Sequence, residues 1–463
     1  MKPTLPTVPQ LQAHIAALEH GLLERGTAVR LLLLAALAGE HVLLIGPPGT
    51  AKSELARRLH RAFDGARYFE RLLTRFSTPE ELFGPLSLKA LEDDRYERLI
   101  DGYLPTAGIA FLDEVFKANS AILNALLTLF NEREFDNGSG RTRTPLLCAV
   151  GASNEAPADD SLLAFHDRFL LRVPVAPVGD ASFAALLQLD DDVAPCTAEP
   201  ITDEQLRGLG TAAAAVALGE IAMQALTRLR AFAAVQGLAV SDRRWRQLVG
   251  LLRVAAAADR RSELGLLDLW LVPFVLGADA AAVPRLAAWF DEQLGAQPQP
   301  LSWLGHAVQA FEKQLELERS LPADALDDTA GKLALARVIA GPEDPGGMLR
   351  MVSSTLEAQS RRRFSPVHVA ARAAQVDEVL ARVAEVRQPV AQALQALQQA
   401  LAGRLWLPPE LAARWCDVHR QTLDTLDAAA QRLHAAREGF AALPVDEWVP
   451  ARAPAVVAFD AGP

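Results

Sequence analysis

Apolar residues recur along this chain in two rhythms. From Leu11 to Ala38 they return every three or four positions, which predicts two helices; the run Leu31–Ala38 has no polar face and predicts a helix buried all round. Short unbroken apolar stretches follow at His41–Ile45, Gly108–Leu112 and Leu146–Ala152, each ending in polar residues, and these predict buried strands. Tyr68–Leu73 follows the first strand and the helix after it. Thr78 and Pro79 mark a helix start, and Asn119–Arg133 is strongly helical. Two half-apolar runs, Ser87–Leu91 and Arg95–Ile100, joined by Glu92-Asp-Asp94, predict an inserted hairpin. Asn137-Gly138 within Glu134–Gly140 predicts a second one.

Further along, the pattern changes. Pro174–Glu204, with prolines at 174, 177, 195 and 200 and the acidic Asp190-Asp-Asp192, predicts a linker; Ile201–Leu294 is helical and alanine-rich, as a small lid would be. Beyond Pro298, Leu304, Val308, Phe311 and Leu315 form a helical stripe. Val390, Leu394, Leu397 and Leu401 do the same after Pro389, and Leu426, Leu433 and Phe440 recur every seven residues. The expected division is a nucleotide-binding core at 1–178, a lid at 200–296, a helical-arm domain at 300–443 with a small insertion near 321–388, and a tail at 444–463.

Composition narrows the function classes. The chain has 463 residues, a net charge of −11 and 50% hydrophobic residues. The acidic balance gives no electrostatic footprint for nucleic-acid binding. No apolar run reaches the roughly 18 residues that span a bilayer, and no basic-plus-apolar leader opens the chain, so a cytoplasmic protein without a membrane span is expected. The three cysteines lack pairing or metal spacing, and the nine histidines suggest no zinc site.

The first buried strand runs into Gly46-Pro47-Pro48-Gly49-Thr50-Ala51-Lys52-Ser53 and then a helix. This is the layout of a phosphate-binding loop: Gly46 and Gly49 let successive N–H groups point inward, Lys52 reaches the β- and γ-phosphates, and the Ser53 hydroxyl holds Mg²⁺. Ala51 stands where glycine is usual; a right-handed entry into the helix would accommodate its Cβ. The strand Gly108–Leu112 ends in Asp113-Glu114, so that Asp113 can support Mg²⁺ and Glu114 can polarise an attacking water. Asn154 tips the third strand, within reach of the γ-phosphate or that water. Arg168, on a predicted helix with Asp167, is a candidate arginine finger for a neighbouring subunit, with Arg172 as competitor. Arg243, in a helix opened by Ser241 or Asp242, is a candidate sensor of the γ-phosphate, with Arg244 as alternate.

This ordered set, with Thr74-Arg-Phe-Ser-Thr-Pro-Glu-Glu-Leu-Phe-Gly-Pro, Gly102-Tyr-Leu-Pro, Phe111-Leu-Asp-Glu and Ala152-Ser-Asn-Glu155, closely resembles the MoxR group of AAA+ ATPases over roughly residues 11–295. Ala51 is typical of that group. Leu18-Glu-His-Gly-Leu-Leu-Glu-Arg, Tyr96-Glu-Arg-Leu, Ala121-Ile-Leu-Asn and Ser241-Asp-Arg-Arg-Trp245 are similar to the RavA (regulatory ATPase variant) branch. The resemblance implies an α/β AAA+ P-loop core with a parallel sheet and hairpin insertions facing a pore, an α-helical lid, a C-terminal helical-arm domain and a homo-hexameric ring binding ATP and Mg²⁺. It places Lys52 and Ser53 in Walker A, Asp113 and Glu114 in Walker B, Asn154 as sensor 1, Arg168 as finger and Arg243 as sensor 2. It also implies chaperone-like work on partner proteins, together with a von Willebrand factor A domain protein. RavA interrupts its arms with a β-rich module that contacts lysine decarboxylase. Residues 321–388 are short, alanine-rich and poor in strand patterns, so that module reads as reduced or absent and the decarboxylase is not carried over. The alternative is a nucleotide-gated scaffold with slow hydrolysis.

Overall fold

The computed structural model describes residues 4–138, 140–155, 157, 162–189, 198–279, 281–295, 301–321 and 363–459. They form two compact units: residues 1–295 together with 400–413, and residues 296–399 together with 414–463.

The first unit opens with α1 (Val8–Glu19) and α2 (Gly26–Ala38). Thr7 and Gln10 close a capping box on α1, and α2 buries Leu31 through Leu37, as a helix with no polar face must. The chain then alternates strand and helix: β1 (Val42–Ile45), α3 (Lys52–Leu59), β2 (Tyr68–Leu72), α4 (Pro79–Phe83), α5 (Leu88–Glu92), β3 (Ile109–Asp113), α6 (Ser120–Glu132), a small antiparallel pair β4 (Glu134–Asp136) and β5 (Arg141–Arg143), β6 (Cys148–Ser153), α7 (Leu163–His166), β7 (Leu171–Pro174) and α8 (Asp180–Leu186). Five strands form a parallel sheet in the order β2-β3-β6-β1-β7. Its inner strands are covered on both faces, which is why they read as unbroken apolar runs.

The first predicted hairpin is different in kind. Ser87 caps α5, accepting from Ala90 N, and only the flanks pair, through Ser87 N to Glu97 O and Leu99 N to Pro85 O, both 2.8 Å. Leu88-Lys-Ala-Leu-Glu92 are good helix formers, and that propensity prevails over a weak alternation. The second hairpin forms as β4–β5. Its turn residue Asn137 is buried and accepts from Arg98 N at 2.8 Å while donating to Arg98 O at 3.2 Å, so the two insertions are stapled backbone to side chain. Within the predicted linker, α8 is a helix, while Asp190–Asp192 lie outside the described residues.

Lid helices follow: α9 (Asp203–Ala215), α10 (Glu220–Val235), α11 (Asp242–Ala258), α12 (Val272–Leu276) and α13 (Ala282–Gln293). Ser241 is the cap of α11, accepting from Arg244 N. The segment 400–413, expected in the arm domain, belongs to this unit. Trp406 is 2% exposed and donates from Nε1 to Ala255 O, and Leu405 N donates to Asp259. The buried Asp268 carboxylate accepts from Arg261, Arg404 (2.6 Å) and Gly265 N.

The second unit contains α14 (Ser302–Ser320) and most of α15 (Pro366–Leu401) and α16 (Pro409–Ala441). The stripes Leu304, Val308, Phe311, Leu315 and Leu426, Leu433, Phe440 meet in one core. The third contributor is Val376, Val379 and Val383, ahead of the predicted stripe; only Val390 and Leu397 of that stripe are buried. Residues 366–388 are thus part of a long helix and not of a small insertion, with Pro389 inside it. Proline forfeits a single backbone hydrogen bond there, which a helix of this length withstands. Residues 322–362 are outside the described residues. The expected tail packs as well: Phe364 N donates to Pro444 O, Arg372 to Ala455 O, and Val457 is buried. No helix among the described residues is long and apolar enough to cross a membrane.

Removing the buried Asp268 carboxylate leaves the half-buried Arg404 without its acid and Arg261 with Asp259 alone. Asp268→Ala is expected to destabilise the first unit by about 3–5 kcal/mol, read as a lowered denaturation midpoint of the full chain.

Candidate nucleotide site

Parallel register decides which residues meet. Ile45 pairs with Ser153, and Leu112 with Gly151, so β1, β3 and β6 release Gly46, Asp113 and Asn154 side by side at the carboxyl edge of the sheet. Gly46 N donates to Ser153 O at 3.0 Å, and a Cβ on Gly46 would sit 2.0 Å from Val175 O, so only glycine fits between these strands. The Thr50 hydroxyl donates to Pro47 O at 3.0 Å, closing the loop on itself.

Lys52, 8% exposed, donates from Nζ to Gly46 O (2.7 Å) and Pro47 O (2.8 Å). Burial lowers its pKa, and the Asp113 and Glu114 carboxylates oppose that shift. The ammonium therefore lies in the loop with two acids in its field. Ser53 follows in the first turn of α3, where helical N–H groups have no partner within the helix. These donors fit the phosphates of a nucleotide, and the Ser53 hydroxyl with the Asp113 carboxylate is a donor pair of the hard-oxygen kind that Mg²⁺ takes.

Ala51 departs from expectation. Its φ is 65°, in the left-handed region, so the reason glycine is usual there is backbone conformation and the alanine is strained. Glu114 is also left-handed, at φ 50°, which turns its side chain off the end of β3. Asn154 Nδ2 donates to Glu114 Oε1 at 2.8 Å, Lys117 Nζ lies 3.3 Å from the same oxygen, and Glu114 N donates to Asp113 Oδ1.

Lys52, Ser53, Asp113, Glu114 and Asn154 thus converge; the arginines do not join them. Arg168 follows α7 in a turn and not on a helix. It precedes β7, whose Leu171 pairs with Val42 at the far end of β1 from the loop, roughly 10 Å along the strand. Its Nε has no hydrogen-bond partner among the described residues. Asp167 pairs with Arg244 at 2.7 Å instead. Arg172 is buried within β7, donating to Gly277 O and His166 O, and burial beside Arg244 pushes its pKa down to about 9. That removes it as a competing finger. Arg244 is buried too and serves the carbonyls of Asp167, Phe169, Leu170 and Val275, a structural role. Arg243 is exposed and bonds Asn131 in the last turn of α6; the same helix α11 places Gln247 on Glu40, just before β1. Arg243 therefore does not reach the phosphate loop of its own chain. Sequence reasoning assigned no role to Arg25 or Lys117. Lys117 was signalled only by its i+3 spacing from Glu114, and Arg25 only as the last residue of the stretch Leu18–Arg25, since two of its three carbonyl partners are distant in the chain.

A parallel sheet of this order, with a phosphate loop after β1, paired acids after β3, an amide after β6 and a helical lid, defines an AAA+ ATPase. Residues 9–208 match the family model described as the MoxR domain in the MoxR-vWA-beta-propeller ternary systems, and residues 222–290 match an AAA lid domain. An uncharacterised protein of Methanocaldococcus jannaschii is 42% identical over 259 residues, 56% of this chain and 67% of that protein. A second from the same organism is 43% identical over 236 residues, covering 50% and 62%. Protein MoxR of Paracoccus denitrificans is 31% identical over 224 residues, covering 46% and 65%. The chain belongs to the MoxR group of AAA+ ATPases, and the matches span about two thirds of these relatives' lengths.

Relief of the left-handed strain, offset by glycine's greater unfolded-state freedom, makes Ala51→Gly stabilising by about 0.5–1 kcal/mol, with ATP affinity unchanged or improved in calorimetric titration.

Proposed function

We propose that this chain is a Mg²⁺-dependent ATP hydrolase that works as a ring-shaped remodelling motor on partner proteins. The observation that carries the reading is the convergence of Lys52, Asp113, Glu114 and Asn154 at one edge of the sheet. Lys52 and the loop N–H groups bind the β- and γ-phosphates. Ser53 and Asp113 would hold Mg²⁺, which neutralises charge on the phosphate oxygens when bound. Glu114 orients and polarises the water, accepting its proton, while Asn154 fixes the rotamer of Glu114 through Oε1 and leaves Oε2 for that water.

Because Arg168 and Arg243 lie away from the loop of their own chain, we assign both to the nucleotide of a neighbouring copy, Arg168 as finger and Arg243 as sensor, in a homo-hexamer. The stapled insertions would face its pore. The RavA-like subtype rests on the four stretches quoted above. A von Willebrand factor A domain protein is the proposed partner, in keeping with the name of the matching family model, and the cytoplasm is the proposed compartment. In the second reading, a nucleotide-gated scaffold, partner affinity changes between ATP and ADP while the partner's own state does not.

Glu114→Gln is expected to retain ATP binding and lower turnover by about 10²-fold or more, measured as phosphate release; Lys52→Ala is expected to lose binding. Arg168→Ala is expected to bind ATP and lose turnover by about 10³-fold. Its Arg168-bearing neighbours are to be supplied by mixing with Lys52→Ala protein, and recovery of activity in the mixture identifies action between subunits. Wild-type protein without Mg²⁺-dependent turnover at any concentration would refute the motor. Affinity capture from the native cell with Glu114→Gln identifies the partner.

A further inference from the structure

Arg25 is buried at 6% exposure, ahead of an apolar helix, and the chemistry described so far gives it no task. Its guanidinium reaches three carbonyls on separate stretches of backbone: Thr50 O in the phosphate loop from Nε (3.3 Å), Ala176 O beyond β7 from Nη2 (2.7 Å) and Glu24 O from Nη1 (3.1 Å). Burial of this cation depresses its pKa. A planar fork of donors meets such a set; a lysine ammonium on a flexible stem cannot span it.

The preceding residue extends the same node. Glu24 holds a left-handed φ of 58°, and its Oε2 accepts from Gly179 N at 3.0 Å. Gly179 is the N-cap of α8, and the Ser182 hydroxyl within α8 also bonds Glu24; these bonds hold its carboxyl below the ordinary carboxylate pKa. Strained backbone at a non-glycine residue persists where surrounding contacts over-determine it. Two adjacent side chains therefore grip the phosphate loop on one side and residues 176–182, the start of the path to the lid, on the other. A second contact brings the same stretches together, since Gly46 packs against Val175 O.

We propose that Arg25 is a positioning residue for the phosphate loop and that Arg25 and Glu24 together relay nucleotide occupancy of the loop to α8. The relay rests on the ATPase reading. Nucleotide phosphates on residues 46–53 fix the Thr50 carbonyl, Arg25 carries that order to Ala176, and Glu24 carries it to the first turn of α8. The loop function belongs to Arg25 and the onward link to Glu24, so the two are separable.

The test uses the full chain in the Glu114→Gln background, with ATP as probe, reading the dissociation constant by calorimetry and amide hydrogen exchange over residues 175–189. Without further change, saturating ATP is expected to slow exchange there several-fold. Arg25→Ala is expected to raise the dissociation constant about tenfold and to abolish the slowing even at saturation, with Arg25→Lys recovering only part of the affinity. Glu24→Gln is expected to keep the dissociation constant within about twofold and still lose the slowing. Arg25→Ala with unchanged affinity, or slowing retained in both variants, overturns the proposal. If Arg25→Ala does not fold, Glu24→Gln decides by the exchange readout alone. Failure of the Glu114→Gln parent to bind ATP refutes the ATPase reading and the relay with it, whereas binding in the parent with no effect of either variant refutes the positioning and relay roles and leaves the ATPase reading standing.

Discussion

The parallel ladder between β1 and its neighbours β6 and β7 is the constraint on which the molecule depends. A phosphate loop, a pair of acids and an amide lie more than 100 residues apart from end to end, yet the pairing of Ile45 with Ser153 and of Leu112 with Gly151 brings them to one edge. The same ladder decides what is excluded. Leu171 against Val42 sends the turn bearing Arg168 to the opposite edge, and the arginines of α11 gather there too. The phosphate loop, the acids and the amide thus lie at one edge of the sheet and these arginines at the other, and this separation is the ground for proposing that they act between copies of the chain.

Where a residue type stands at a fixed local spacing, the amino-acid sequence was enough to locate it. Lys52 follows a glycine turn and Asp113-Glu114 closes a buried strand, so backbone geometry within a few residues determines where they lie. The arginines behaved otherwise. A guanidinium takes its role from whatever surrounds it: Arg243 and Arg244 are neighbours in sequence, but one faces solvent and the other satisfies four carbonyls in the interior. Arg25 was noted only as the end of the stretch Leu18–Arg25 and given no role for the same reason, since backbone carbonyls have no signature in a sequence.

Fold elements divided along similar lines. Buried strands and the all-apolar α2 were legible because desolvation leaves no choice of residue. Leu88–Glu92 was misjudged because a weak two-residue alternation competed with stronger helix propensity. The start of α15 was missed because Pro389 reads as a boundary, although tertiary packing of Val376, Val379 and Val383 holds the helix through it. At Ala51 the identity of the residue concealed the conformation: alanine is compatible with a right-handed turn, and only the dihedral angle shows that the loop imposes a left-handed one.

The seating of Trp406 and Arg404 against Ala255 and Asp268 has a topological consequence. The first unit is discontinuous in the chain, interrupted after residue 295 and completed only by residues 400–413. The two units therefore alternate along the chain, with residues 400–413 of the first lying between the two segments of the second. During synthesis the lid waits for more than a hundred further residues before its buried carboxylates find their last arginine, and a fragment cut at the apparent end of the lid is an unfinished domain.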